Sequence, residues 1–149
     1  MNIAIIGYGY WGPNLVRNFS LANDCSVVCV ADSRMDRLIE VKKNYPKILT
    51  TSNLDDIFNN KNIDAVVIAT PVFTHFYLAK KALENGKHVL LEKPMTNSVE
   101  EAEQLIELAN KYKKVLMVDH TFLYTSAVQK MKKMIDAGEI GKLKYFDST

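Results

Sequence analysis

Cysteine is nearly absent from this sequence: Cys25 and Cys29 are the only two among 149 residues. Both fall at or within an apolar segment that reads as a strand, where free thiols are commonly buried. The three histidines, His75, His88 and His120, are scattered. Neither residue type pairs at zinc-ligand spacing, so no metal site is expected. Charge of one sign is not in excess. The 19 basic and 17 acidic side chains are mixed along the chain, which argues against nucleic acid or an anionic membrane as partner. Long apolar runs are missing too. The first, from Asn2, is cut at Gly7 and has no basic segment before it. Neither a signal peptide nor a spanning helix is expected, and a cytoplasmic location is the default. No linker, internal repeat or low-complexity tract interrupts the chain.

What is there is ordinary globular composition at the length of one domain, which buries about 68–70% of its unfolded surface without staples. Short apolar runs alternate with amphipathic stretches. Strands are predicted at Asn2–Ile6, Val27–Ala31, near Ile48–Thr50, Ala65–Ala69, His88–Leu91 and Val115–Val118. Between them fall helices that open at Pro13, run over Met35–Asn44, occupy Leu54–Phe58, and run over Thr74–Asn85 to a stop at Gly86. Ser98 with Glu101 makes a capping box for the helix through Leu105 and Ala109, and Ser126 with Gln129 repeats it for a last helix ended at Gly138. Strand–helix alternation implies parallel strands with right-handed crossovers. Six strands in two halves match a Rossmann-type α/β fold, a doubly wound parallel sheet of order 3-2-1-4-5-6. After it, Lys142–Phe146 looks like the opening of a further strand, as if a longer protein continued.

Gly7-Tyr8-Gly9-Tyr10-Trp11-Gly12 fits G-x-G-x-x-G. The pattern alone is weak, but here it follows a strand and opens a helix, the context it needs. Gly7 permits the tight turn, Gly9 lets a pyrophosphate approach the backbone, and Gly12 lets helix and strand pack closely. The amides around Tyr10, Trp11 and Gly12, with the helix dipole, would hold the phosphates. Asp32 lies twenty residues after Gly12, at the carboxyl end of the second strand. A carboxylate there accepts ribose hydroxyls and repels a 2′-phosphate, by roughly 1 kcal/mol per charge pair at 4 Å in water. NAD is therefore favoured as cofactor. NADP stays open because Ser33, Arg34 and Arg37 stand nearby.

Ligands of such sheets lie beyond the carboxyl ends of the strands. There the fourth strand offers Thr70 and Pro71, with His75 at the next helix start. The fifth offers Glu92 and Lys93, and the sixth Asp119 and His120. Lys93 is the candidate catalytic residue, able to hydrogen-bond a nicotinamide ribose and exchange a proton with a substrate hydroxyl. On residue chemistry alone, a lysine after a strand is most often a solvated surface charge, and Glu92 could be its salt-bridge partner. His75 and His120 are equally open to local structural roles. The run Lys130, Lys132, Lys133 reads as a solvated helix face.

Glu92-Lys93-Pro94, with the glycine loop, Ala69-Thr70-Pro71 followed by His75, Gly86-Lys87-His88-Val89 and Gly138-Glu139-Ile140-Gly141-Lys142, makes a specific combination. Across essentially its whole length the chain resembles the N-terminal domain of the glucose–fructose oxidoreductase/inositol dehydrogenase/MocA family. The resemblance implies hydride transfer between NAD(P) and a hydroxyl-bearing carbon of a sugar, inositol or sugar nucleotide. It also implies a motif lysine at Lys93 touching cofactor and substrate, and a cis bond before Pro94. Thr70, Pro71, His75, Glu92 and Lys93 then stand on the nicotinamide side, and His120 and Tyr124 are candidate substrate contacts. Leu123 and Tyr124 occupy places where many members carry arginine.

The expected organisation is residues 1–120 as the NAD(P)-binding domain. Residues 121–149 would be a crossover helix and first strand leading to a C-terminal substrate domain absent from this sequence. That second domain would make the full-length enzyme a homo-oligomer, while this chain alone would be inactive. The alternative is a stand-alone dinucleotide-binding module without catalysis.

Overall fold

The computed structural model describes residues 1–147. Ser148 and Thr149, the end of the 121–149 segment, lie outside the described residues. The chain divides into two compact units at the Asp119/His120 boundary.

The first unit is a six-stranded sheet. Its strands are β1 (Asn2–Ile6), β2 (Ser26–Ala31), β3 (Leu49–Thr51), β4 (Ala65–Ile68), β5 (His88–Glu92) and β6 (Leu116–Asp119). All neighbours pair parallel, in the order β3-β2-β1-β4-β5-β6. Helices α1 (Gly12–Leu21), α2 (Met35–Asn44), α3 (Asp55–Phe58), α4 (His75–Glu84) and α5 (Val99–Tyr112) fill the connections. A single 3-10 turn, Val72–Thr74, leads into α4.

The central strands are apolar at successive positions because both sheet faces are covered. The period of two sends Ile3 and Ile5 to one face, where Leu15 and Val16 of α1 and Val41 of α2 pack. Ala4 and Ile6 go to the other face, against Ile57 and Phe58 of α3, Leu78 and Leu83 of α4, and Leu105 of α5. The β1–β2 register shifts once: Ile3 pairs with Val27 but Ala4 with Cys29, leaving Val28 as an extra residue. Burial pushes the Cys29 thiol up to about 11.

Local signals explain the helix ends. Ser98 Oγ accepts the Glu101 amide at 3.2 Å, and Glu101 reaches back to the amide of Asn97, one residue before the cap. Two features at the amino ends of the strands escaped the sequence reading. Lys87 is 4% exposed, and its Nζ donates to the carbonyls of Asn60 and Ile63. The ring of His88 accepts the Val115 amide through Nδ1 at 2.9 Å, fixing where β6 begins beside β5.

The second unit holds a 3-10 turn, Thr121–Tyr124, and α6 (Ser126–Asp136), none of whose residues is buried. One expectation fails here. The second capping box does not form: Thr125 is the cap residue, its hydroxyl donates to Phe122, and Gln129 donates to the Leu123 carbonyl at 2.5 Å. The chain enters this helix through a 3-10 turn whose free carbonyls compete for those side chains. Lys142–Phe146, read as a strand, has no ladder among the described residues. A strand exists only where a neighbour takes up its backbone groups, and none does so here.

Candidate functional site

The sheet reverses its winding between β1 and β4, so the loops after these two strands diverge and leave a crevice at their carboxyl ends. Gly7 has φ +98°, and its amide donates to the Ala31 carbonyl at 2.8 Å. A Cβ on Gly7 would lie 2.5 Å from the Ala69 carbonyl oxygen, and one on Gly12 would lie 2.4 Å from that of Gly7. Both glycines are required by the protein's own backbone. Gly9 differs, because a Cβ there would meet nothing within 4 Å. Its missing side chain leaves room outside the protein, at the start of an α1 helix that no side chain caps and whose first turn holds no acidic residue. Loop and helix start thus fit a bound diphosphate.

The x residues of the loop divide sharply. Tyr8 is 2% exposed and packs in the core with Ile5 and Leu15. Tyr10 is 94% exposed, and its ring stacks on the half-buried Trp11 with centroids 6.3 Å apart. Sequence alone assigned Tyr8 no role, and strand periodicity does not predict it, because Tyr8 packs on the face of Ile5 rather than on that of Ile6.

Asp32 stands just past β2 with its side chain 8% exposed. One carboxylate oxygen accepts the Tyr8 amide at 2.7 Å and the other the Arg34 amide at 2.9 Å, with Arg34 Nε 3.5 Å away. A carboxylate has about four acceptor sites, so capacity remains for ribose hydroxyls. Ser33 is exposed beside it. Arg37 is turned to its own helix, with Nη1 on Glu40 at 3.0 Å and Nε 3.8 Å from Asp36. Arg34, not Arg37, is the arginine that meets Asp32.

The other half of the crevice is built by the ends of β4 and β5. Thr70 and Pro71 follow β4, and the Thr70 and Thr74 hydroxyls lie 2.6 Å apart. His75 is 1% exposed, with both ring nitrogens against protein carbonyls. As placed it offers no ring nitrogen to a ligand. Glu92 belongs to β5 rather than to the loop after it. Lys93 and Pro94 are exposed and joined by a cis peptide bond.

Glu92 Oε2 accepts the Lys93 amide at 3.2 Å, and Oε1 is buried without a hydrogen-bond partner among the described residues. Burial raises the Glu92 carboxyl above its usual range. Asp119, its register neighbour on β6, raises it further, and the amide and ammonium of Lys93 pull the other way. Asp119 was not singled out from sequence as a partner of Glu92, although aligning the last residues of two adjacent parallel strands would have paired them. His120 and Tyr124 lie in the second unit, both exposed, at the two ends of the 3-10 turn.

Among the described residues, no helix is long and apolar enough to cross a membrane, and no cluster of three potential metal-ligating side chains forms.

Comparison with known proteins agrees with the fold. The family model for the Gfo/Idh/MocA oxidoreductases, an oxidoreductase family with an NAD-binding Rossmann fold, matches residues 1–120. An uncharacterized oxidoreductase, YdgJ, of Escherichia coli is 34% identical over 148 residues, which is 99% of this chain and 42% of that protein. The scyllo-inositol 2-dehydrogenase (NAD+) of Bacillus subtilis is 33% identical over 147 residues, 96% of this chain and 42% of that protein. The crystal structure of an NAD-binding protein from Listeria innocua superposes with a TM-score of 0.87 at 29% identity, covering 95% of this chain and 41% of that one. The chain thus spans about two fifths of the length of these relatives.

Proposed function

This chain belongs to the Gfo/Idh/MocA oxidoreductase family, and from that membership we propose that it is the cofactor-binding part of an NAD-dependent dehydrogenase acting on a hydroxyl-bearing carbon of a sugar, an inositol or a sugar nucleotide. The observation that carries the reading is Gly9. Gly7 and Gly12 are explained by contacts inside the protein, but the gap at Gly9 serves something outside it. A diphosphate approaching that gap meets the backbone of Gly9 to Gly12 and the positive end of α1. Asp32, pinned by two amides, offers its remaining lone pairs to the adenosine ribose and opposes a 2′-phosphate, which supports NAD over NADP.

On the far side, Thr70, Pro71, Glu92 and Lys93 face the nicotinamide half. When bound, the nicotinamide ring supplies the two-electron acceptor. The Lys93 side chain, exposed and free of any ion pair among the described residues, takes up the substrate hydroxyl proton when it is in its neutral amine form. Glu92 fixes the Lys93 backbone through its amide. The polyol and sugar class is supported by relatives such as the Bacillus subtilis inositol dehydrogenase. The residues that choose among such substrates are expected outside this sequence, so this chain alone binds dinucleotide without turnover.

Trp11 is the only tryptophan and sits inside the loop, so its fluorescence tests the reading directly. Saturable quenching by NADH, weaker with NADPH, is expected. No response to either would remove the cofactor site from this chain, and the reverse preference would mean that Arg34 outweighs Asp32.

A further inference from the structure

His75 and Lys87 are the buried charged or polar side chains of the first unit. Lys87 acts at the amino ends of the strands, whereas His75 acts at their carboxyl ends. The His75 Nδ1 is 2.9 Å from the Pro94 carbonyl oxygen, and Nε2 is 2.8 Å from that of Thr70. Those carbonyls belong to two separate loops, one after β4 and one after β5, and the ring bridges them from beneath. Carbonyl oxygens only accept, so the ring is the donor to whichever of the two loops it bonds. The β4 loop is tied to the same helix start a second time. Thr74 gives its single hydroxyl proton to the Pro71 carbonyl at 2.7 Å, so Thr70 is the donor across the 2.6 Å contact between the two hydroxyls.

The geometry points to His75 as a buried cross-link that holds the Thr70-Pro71 loop and the Lys93-Pro94 turn at a fixed separation. It thereby positions Lys93 and Thr70 for the nicotinamide half of a dinucleotide, an inference that rests on the cofactor reading above. His75 is a positioning residue: it is buried, and its nitrogens are occupied by the two backbones it joins. Neither of its hydrogen-bond partners belongs to the glycine loop or is Asp32. A defect at His75 therefore separates the two halves of a dinucleotide, since small misplacements of positioned groups weaken only the contacts they align.

The test uses the chain as it is, with ADP as a probe of the adenosine half and NADH as a probe of both halves. Trp11 fluorescence is the readout for wild type and His75→Gln. The variant is expected to bind ADP within about twofold of wild type and NADH about tenfold more weakly. Unchanged binding of both ligands would overturn the proposal. A parallel loss of both would also overturn it, because that is the signature of general structural damage.

A second measurement does not depend on the variant folding. The proton–nitrogen NMR spectrum of the His75 ring in the wild-type chain should show a ring N–H protected from exchange with water. A ring N–H in free exchange with water would overturn the cross-link. Wild type that binds neither ADP nor NADH would remove the cofactor reading and with it the positioning role. The spectrum would then still decide whether the cross-link exists.

Discussion

The carboxylate of Asp32 accepts the backbone N–H of Tyr8 at 2.7 Å, joining the end of β2 to the glycine loop after β1. The same carboxylate holds the Arg34 amide, so the group expected to read the ribose also shapes the loop expected to receive the diphosphate.

Asp32→Asn keeps one acceptor oxygen and turns an amide N–H toward a backbone donor. A hydrogen bond to a charged group contributes about 1.5–3 kcal/mol, so a loss of that order is expected in urea unfolding. Removing the negative charge should also narrow the preference for NADH over NADPH, measured as the ratio of the two affinities. An unchanged ratio would show that Asp32 does not discriminate between them.

Gly7 and Gly9 should respond in opposite ways to the same alanine. At Gly7 the backbone is left-handed and a Cβ collides with Ala69, so Gly7→Ala should destabilise the fold by at least about 1–3 kcal/mol. At Gly9 the Cβ enters open space, so Gly9→Ala should leave stability within about 0.5 kcal/mol and weaken NADH binding sharply. Thermal melts paired with titrations decide this. Full binding by Gly9→Ala would contradict the cofactor site.

Glu92 is protonated more readily in the fold than its ordinary value of 4.5, because of burial first and Asp119 second. With a raised folded value, its contribution to stability is complete below the unfolded value and is lost as pH rises through the folded one. Glu92→Gln remains neutral throughout. The variant should therefore gain on wild type in melting temperature as pH rises from the ordinary glutamate value through the raised folded one. A constant gap would mean that the fold does not raise the Glu92 carboxyl.

The Cys29 thiol, buried and raised to about 11, should resist a thiol reagent near neutral pH, because the thiolate is the reacting form. Cys25 is half-buried and should react first. Native protein labelled at Cys29 as fast as at Cys25, by mass spectrometry of peptides, would show that β2 opens readily.

Lys93 is exposed and contributes nothing to the core, so Lys93→Ala should leave the fold intact. In a longer form of the protein that turns over substrate, it should lower the rate by about 10²–10⁴. A change under about threefold would show that Lys93 moves no proton.

The sheet was legible because its signals are local. Alternating apolar runs, Gly86 at a helix stop and the Ser98 cap each act within a few residues, and parallel crossovers have one allowed hand. The glycine loop and Asp32 were legible because their spacing carries the chemistry. Lys142–Phe146 forms no ladder among the described residues, because a strand needs a neighbour and no local pattern states whether one is present.

What the sequence determined by itself was the order of elements, the strand order that follows from it, and which residue types stand at the strand ends. Tertiary structure alone decided what each of those residues touches. Arg34 rather than Arg37 meets Asp32, Tyr8 turns into the core, Glu92 faces Asp119 across two strands, and His75 lies beneath two loops instead of in the crevice. The physical reason is range. Backbone propensity and periodicity act within a few positions, but a buried polar group must find whichever partner the packed chain brings within hydrogen-bond distance. For His75 that partner is Pro94, nineteen residues away.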